Sequence, residues 1–65
     1  MAFVLDLFHQ VVYVYKRHTV VADFTDLWPQ YNVYSPDGRW IGCTNAMSEA
    51  SWKGNCRCII DRVPL

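Results

Sequence analysis

The sequence predicts a small α+β protein, in which helices pack on one face of an antiparallel sheet. Three observations support this class: a hairpin signature near the middle of the chain, helical apolar spacing before it, and a capped helix pattern with a β-prone run after it. A sheet with helices on one side is the simplest two-layer architecture for such elements. A chain of 65 residues is expected to form a single domain, 1–65.

The first element is predicted to be a helix at about 3–17, which reads FVLDLFHQVVYVYKR. Apolar residues recur there at spacings of three and four, and the polar side chains fall on one stripe. The β-branched and aromatic run 11–15 has strong strand propensity instead. Two strands, near 2–8 and 11–21, are therefore the alternative, and they would add a further N-terminal strand to the sheet.

The central element is a β-hairpin at 31–44, which reads YNVYSPDGRWIGCT. Its turn is Ser-Pro-Asp-Gly, with Pro at the second position, where its φ is preset, and Gly at the fourth. Loops of this kind commonly use a type I turn followed by a Gly bulge. Ser35 then faces Arg39, and Tyr34 lies opposite Trp40.

This register sorts the hairpin side chains onto two faces of the sheet. The face expected to lie against the core carries four alternating residues: Tyr31, Val33, Ile41 and Cys43. The second face carries Tyr34 and Trp40 as a cross-strand aromatic pair. That pair is either covered by the N-terminal element or left for a partner.

A second helix is predicted at 46–53, AMSEASWK, because Thr44 and Asn45 are good N-caps and Gly54 suits the left-handed position after a helix end. The run that follows, CRCIIDRV at 56–63, is predicted to be the last strand. The sheet then consists of the central hairpin and this strand, together with any N-terminal strand.

Charge and length exclude several classes of function. Six Lys and Arg balance six Asp and Glu, so no dense basic patch is visible and a nucleic-acid partner is disfavoured. No run is long enough to span a bilayer, and the N-terminus lacks the basic start of a signal peptide. The chain begins with Met and ends in a plausible strand, so we expect a complete small protein. The odd number of cysteines and the lack of a signal peptide predict a cytoplasmic protein without a membrane partner.

The three cysteines, Cys43, Cys56 and Cys58, do not make the even set of a disulfide framework. The C-x-C pair in a predicted strand places two thiols on one face but is not the C-x₂₋₄-C knuckle of common zinc sites. We therefore expect thiols that pack as small hydrophobic groups, and no cofactor, metal ligand or catalytic residue. A cysteine-based metal or redox module is the second alternative for the function.

The apolar content exceeds what so short a chain can bury, since 52% of the residues are hydrophobic and ten are aromatic. Tyr, Trp and Arg are enriched at the energetic centres of protein interfaces. The candidate partner-binding residues lie together at the end of the hairpin: Tyr34, Asp37, Arg39 and Trp40. We therefore expect a non-enzymatic module that binds a larger protein or complex, with a homodimer as a further expectation.

An inhibitor or regulator that masks a surface of its partner is the favoured kind of module. Small phage- or plasmid-encoded inhibitors, anti-CRISPR proteins among them, are of this type. The first alternative is a small nucleic-acid-associated regulator that uses four cations of the chain: Lys16, Arg17, Arg57 and Arg62.

Overall fold

A computed structural model of the protein describes residues 7–62. Four antiparallel strands form one sheet in the order β1-β2-β3-β4, and a helix follows them. The elements are β1 (His9–Tyr15), β2 (His18–Asp23), β3 (Gln30–Tyr34), β4 (Trp40–Thr44) and α1 (Glu49–Asp61). The α+β class predicted from the sequence is confirmed, although several of the predicted elements are corrected below.

The N-terminal part of the described chain is a strand, so the helix predicted at about 3–17 is wrong there; its residues 3–6 lie outside the described range. The reason is a β-bulge, because the pairing with β2 shifts register between Val11 and Tyr13 and leaves Val12 as an extra residue. Val12 and Tyr13 both pack against the core. A bulge interrupts the two-residue alternation of a strand, and the interrupted pattern resembles helical spacing.

A tight hairpin joins β1 to β2. The residues between the strands are Lys16 and Arg17, and both have positive φ, at 48° and 63°. Two consecutive residues of this kind are typical of a type I′ turn, whose twist matches that of the flanking strands. The alternative of two N-terminal strands near 2–8 and 11–21 is therefore closer to the structure. The range 11–21 covers parts of both β1 and β2 with the turn between them, and residues 2–6 of the other range lie outside the described part of the chain.

The turn of the central hairpin is confirmed. The Gly38 amide donates to the Ser35 carbonyl at 2.9 Å, and the Ser35 amide donates to the Arg39 carbonyl at 2.7 Å. Gly38 has a φ of 88°, which glycine adopts without steric cost. Tyr34 pairs with Trp40 as predicted.

Beyond that pair, the predicted register places Val33 opposite Ile41 and Asn32 opposite Gly42, and it is wrong by one residue. Ile41 is an extra residue in β4, so Val33 pairs with Gly42 and Asn32 pairs with Cys43. Ile41 still packs against the core, as predicted. Cys43 does not, since it moves to the opposite face and is exposed.

The helix α1 begins three residues later than the helix predicted at 46–53 and continues through most of the strand predicted at 56–63, whose last residue lies outside the described range. That strand is wrong over its described residues. Ser48 caps the helix, because its Oγ accepts a hydrogen bond from the Ser51 amide at 3.1 Å. Gly54 consequently lies inside the helix and does not terminate it.

The spacing of buried residues explains the helix. Trp52, Cys56 and Ile60 are buried and lie four residues apart, on one face of α1. This long-range packing overrides the strand propensity of the segment. Within residues 7–62, no helix has the length and apolar character that crossing a membrane requires.

The core lies between α1 and one face of the sheet. The Trp52 ring stacks on Tyr31 with centroids 4.3 Å apart and meets Tyr13 edge-on at 6.0 Å. A Cβ at Gly42 would lie 3.1 Å from Ile59 Cγ2, so the glycine allows α1 to approach β4 closely. The buried cluster consists of Val20, Ala22, Tyr31, Val33, Trp52, Cys56 and Ile60.

Candidate protein interface on the open sheet face

The face of the sheet opposite α1 is named the open sheet face. No element formed by residues 7–62 packs on it, because the helix and the buried cluster lie on the other side. Val21 is buried in the middle of this face, and its neighbours are half-buried or exposed. The side chains of the open sheet face are His9, Val11, Val14, Thr19, Val21, Asp23, Gln30, Asn32, Tyr34, Trp40 and Cys43.

An aromatic and β-branched row crosses this face from one edge of the sheet to the other. Val14 pairs with Thr19, Thr19 with Tyr34, and Tyr34 with Trp40. Trp40 is 56% exposed, and Tyr34 is half-buried. The segment predicted to cover this pair as a helix is the edge strand β1 over its described part, and it extends the same face instead.

The Trp40 ring is held in one orientation. Its Nε1–H donates to Asn32 Oδ1 at 3.1 Å, and Gln30 Nε2 donates to the same oxygen at 3.5 Å. The polar edge of the indole is therefore satisfied within the protein, while much of the apolar ring remains in contact with solvent. An aromatic side chain that is already ordered loses less conformational entropy when it enters an interface.

The hairpin tip adds a charged pair beside the aromatic row. Arg39 Nε lies 3.4 Å from Asp37 Oδ2, and both side chains are largely exposed. The Ser35 hydroxyl donates to the Asp37 carboxylate, which lowers the pKa of that carboxyl, and the Arg39 guanidinium lowers it further. The Ser35 hydroxyl oxygen also accepts from the Arg39 amide at 3.1 Å. The structure thus brings together the four residues predicted from the sequence, with the charges at the end of the strands.

Both outer strands of the sheet contain a bulge. The extra residue is Val12 in β1 and Ile41 in β4, whereas β2 and β3 pair without a shift. Bulges twist a sheet edge and disfavour the addition of a strand from another chain. The flat face is therefore a better binding surface than either edge.

Four cations named for the nucleic-acid alternative lie at one corner of the protein. Lys16 Nζ donates to Asp61 Oδ1 at 2.7 Å, which joins the β1–β2 turn to the end of α1. This hydrogen bond lowers the pKa of the Asp61 carboxyl. Arg17 follows Lys16, Arg62 follows Asp61, and Arg57 lies one helical turn earlier. Arg57 Nη1 donates to the Tyr13 hydroxyl at 3.2 Å. Internal contacts thus occupy two of the four cations.

The three cysteines are on different surfaces. Cys43 is exposed on the open sheet face, Cys58 is exposed on α1, and Cys56 is buried in the core, where burial raises the pKa of its thiol to about 11. The prediction that all three pack as buried hydrophobic groups therefore holds only for Cys56. Cys56 and Cys58 do not share a face, because the segment is helical. In the described part of the chain, no group of three or more His, Cys, Asp or Glu side chains is arranged to hold a metal ion.

Sequence reasoning missed the residues that extend the aromatic pair. Val14 was assigned to a helix, and Asn32 was placed opposite Gly42 and not beside the Trp40 indole. The sequence does not indicate that the polar Thr19 lies between Val14 and Tyr34 on this face. Strand propensity of the run 11–15 was the one available indication that another strand adjoins this face.

The open sheet face is the surface of a sheet, whereas small molecules are mostly bound in concave pockets. Comparison of the chain with protein-family models, curated proteins and solved structures finds no match. The function is therefore argued from the surface chemistry of this chain.

Proposed function

We propose that this protein is a non-enzymatic binding module that masks a surface of a larger protein or complex. The single observation that carries the proposal is Trp40, which is half-exposed on the open sheet face while its indole N–H is bonded internally to Asn32. Tyr34 lies beside it on the neighbouring strand, and the Asp37–Arg39 pair lies at the hairpin tip. These are the positions where the partner is proposed to bind.

The chemistry of this surface supports a protein partner. Trp, Tyr and Arg provide most of the binding energy at many protein interfaces, and they are most effective when ordered before binding. The charged tip would lie at the rim, where electrostatic complementarity affects association rate and specificity more than affinity. The aromatic and β-branched row Val14–Thr19–Tyr34–Trp40 would then form the centre of the interface.

The kind of module that we propose is an inhibitor or regulator that acts by occupying its partner's surface. Phage- and plasmid-encoded inhibitors such as anti-CRISPR proteins are chains of this type, and we propose this class together with a cytoplasmic location. The three cysteines, none of which forms a disulfide within the described residues, suit a reducing compartment. The favoured binding mode needs neither cofactor nor catalytic group.

Nucleic-acid binding is the second candidate, because the structure brings Lys16, Arg17, Arg57 and Arg62 to one corner. Asp61 lies among them and offsets part of their charge. A protein that uses such cations to contact phosphates binds nucleic acid with an affinity that falls steeply with salt. If the chain binds generic DNA or RNA at low salt, and Arg17→Ala with Arg62→Ala reduces the salt slope, this candidate replaces the protein-binding proposal.

The proposal is tested by partner capture with matched tryptophan variants. The chain is immobilised at low density and exposed to an extract of its source cells, and the captured proteins are quantified by mass spectrometry. Trp40→Ala and Arg39→Ala are expected to lose a partner that the unmodified chain retains. Trp28→Ala is the matched control, since Trp28 is also 56% exposed but lies in the loop between β2 and β3. Equal capture by Trp40→Ala, verified as folded by circular dichroism, would remove the open sheet face from consideration.

A further inference from the structure

A second apolar surface lies at the end of the sheet where α1 begins. The loop between β2 and β3, residues 24–29, and the loop between β4 and α1, residues 45–48, meet there with the start of β1. We name this surface the apolar end. Its exposed large side chains are Leu7, Phe8, Phe24, Leu27, Trp28 and Met47.

These side chains lie on adjoining loops and strand ends. The Phe24 amide donates to the Phe8 carbonyl at 2.7 Å, which joins the end of β2 to the residues before β1. Trp28 and Met47 line one cavity of about 120 Å³, together with Pro29, Tyr31, Asn45 and Ala46. An adjoining cavity of about 300 Å³ is lined by Leu27 and Trp28 with the polar residues Asp26, Gln30 and Asn45. The apolar end is therefore a ridge of side chains beside a groove.

The summed exposure of these six side chains is large for a small protein. Leu27 is 86% exposed and Met47 is 76% exposed, and the six exposed fractions together equal about four complete side chains. At about 200 Å² for a large side chain, they amount to on the order of 800 Å² of surface. The largest apolar patch on a typical monomer is about 300–600 Å². A standard stable interface buries about 800 Å² on each partner.

We propose that a second copy of this chain binds at the apolar end and forms a two-fold symmetric dimer. In such a dimer the same patch lies on both copies, so a projection and a recess on one patch can complement each other. Leu27 is the projection, and the cavity between Trp28 and Met47 is the recess. An apolar cavity of roughly 150 Å³ accepts a benzene molecule, so a cavity of the observed size suits the Leu27 side chain of the second copy.

The charges around the apolar end do not oppose this association. Glu49 is paired with Lys53 at 2.6 Å, and the Asp23 carboxylate accepts hydrogen bonds from the Thr25 amide and hydroxyl, so both groups have partners within one copy. Asp26 is exposed and keeps contact with water. Dimer formation at this end therefore buries mainly apolar side chains, whose removal from water provides the driving force.

The dimer is independent of the proposed function, because Trp40 and the Asp37–Arg39 pair lie at the other end of the strands from the apolar end. β3 starts at the apolar end and finishes beside the hairpin tip with Arg39. A dimer joined at the apolar ends would carry its two hairpin tips at opposite extremes. Two identical binding sites on one particle increase the avidity for a partner that is itself repeated.

The test is sedimentation velocity of the full chain from about 1 µM to 1 mM, which covers ordinary homodimer affinities. We expect the unmodified chain to shift from monomer to dimer within this range. Leu27→Lys is expected to raise the dissociation constant at least about 100-fold, because each of the two symmetric sites loses a factor of about ten or more. Val14→Lys is the matched control, since it puts the same charge at an exposed position of the open sheet face and should leave dimerisation unchanged.

Two results would overturn the proposal. One is a monomer at every concentration, which would mean that another molecule or no molecule covers the apolar end. The other is a dimer that Leu27→Lys leaves intact or that Val14→Lys dissociates, since the interface would then lie elsewhere. Met47→Lys serves as the second variant if Leu27→Lys does not fold, and circular dichroism verifies the fold of each. Neither outcome depends on whether Trp40 binds a partner protein.

Discussion

Replacement of Gly54 by alanine is expected to stabilise the protein. Gly54 lies inside α1, and its φ is not positive, unlike that of Gly38. A Cβ at this position would find its nearest atom at 3.9 Å, the Nη2 of the flexible Arg57 side chain. Alanine is better than glycine by about 0.8–1.0 kcal/mol in a helix interior. We therefore expect Gly54→Ala to raise the free energy of unfolding by roughly that amount and the Tm by about 4–8 °C.

Urea denaturation followed by circular dichroism measures this change, and the midpoint should rise without a change in slope. Gly38→Ala is the control with the opposite sign, because Gly38 has a φ of 88° and alanine there costs about 1–2 kcal/mol. A loss of stability in Gly54→Ala similar to that of the control would refute the reasoning. It would mean that Gly54 occupies a left-handed position after a helix end, as the sequence alone suggested.

Three further results are expected. Trp52→Ala should lower the free energy of unfolding by about 3–5 kcal/mol, because Trp52 is 7% exposed and its removal leaves a cavity. Trp40→Ala should lower it by less than half as much in the same urea titration. Similar losses for the two variants would contradict the assignment of the two faces. A thiol reagent should modify the exposed Cys43 and Cys58 quickly and the buried Cys56 only upon unfolding. Equal modification rates at all three cysteines, measured by mass spectrometry, would contradict the burial of Cys56 in the core. Thermal stability should fall in acid, because the hydrogen bond from Lys16 lowers the pKa of Asp61 below its usual 3.8. The stabilisation that the ionised Asp61 provides is present above pH 3.8 and is lost as the pH falls through the pKa of Asp61 in the folded state. Asp61→Asn should reduce the acid dependence of the Tm, and an unchanged profile would remove the ion pair from this account.

Sequence reasoning succeeded where local chemistry restricts the backbone. Proline and glycine in the Ser35–Gly38 turn limit φ directly, so the turn and the Tyr34–Trp40 pair beside it were predictable. The two bulges were not, because an extra residue such as Val12 or Ile41 is stabilised by packing under a helix that lies far away in the chain. Each bulge shifts the faces of all residues beyond it, and a single sequence does not reveal that shift.

The second half of the helix α1 was missed for the same reason. The run CRCIIDRV has strand propensity, and Gly54 before it resembles a helix terminator. The helical state is stabilised by the contacts of Trp52 with Tyr31 and Tyr13, which come from distant strands. The candidate site was found in part, because Tyr34 and Trp40 adjoin the predictable turn. Val14 belonged to a misassigned segment and was therefore not recognised as part of the same surface.

The central claim, that the open sheet face binds a partner protein, is tested most directly by hydroxyl-radical footprinting of the three tryptophans. At a protein concentration below the range in which the proposed dimer forms, and without partner, Trp28 and Trp40 should be oxidised readily and Trp52 slowly, in accord with their exposure in a single copy. After the captured partner is added at the same protein concentration, we expect oxidation of Trp40 to fall several-fold while that of Trp28 remains unchanged. An unchanged rate at Trp40 in the complex would contradict the claim.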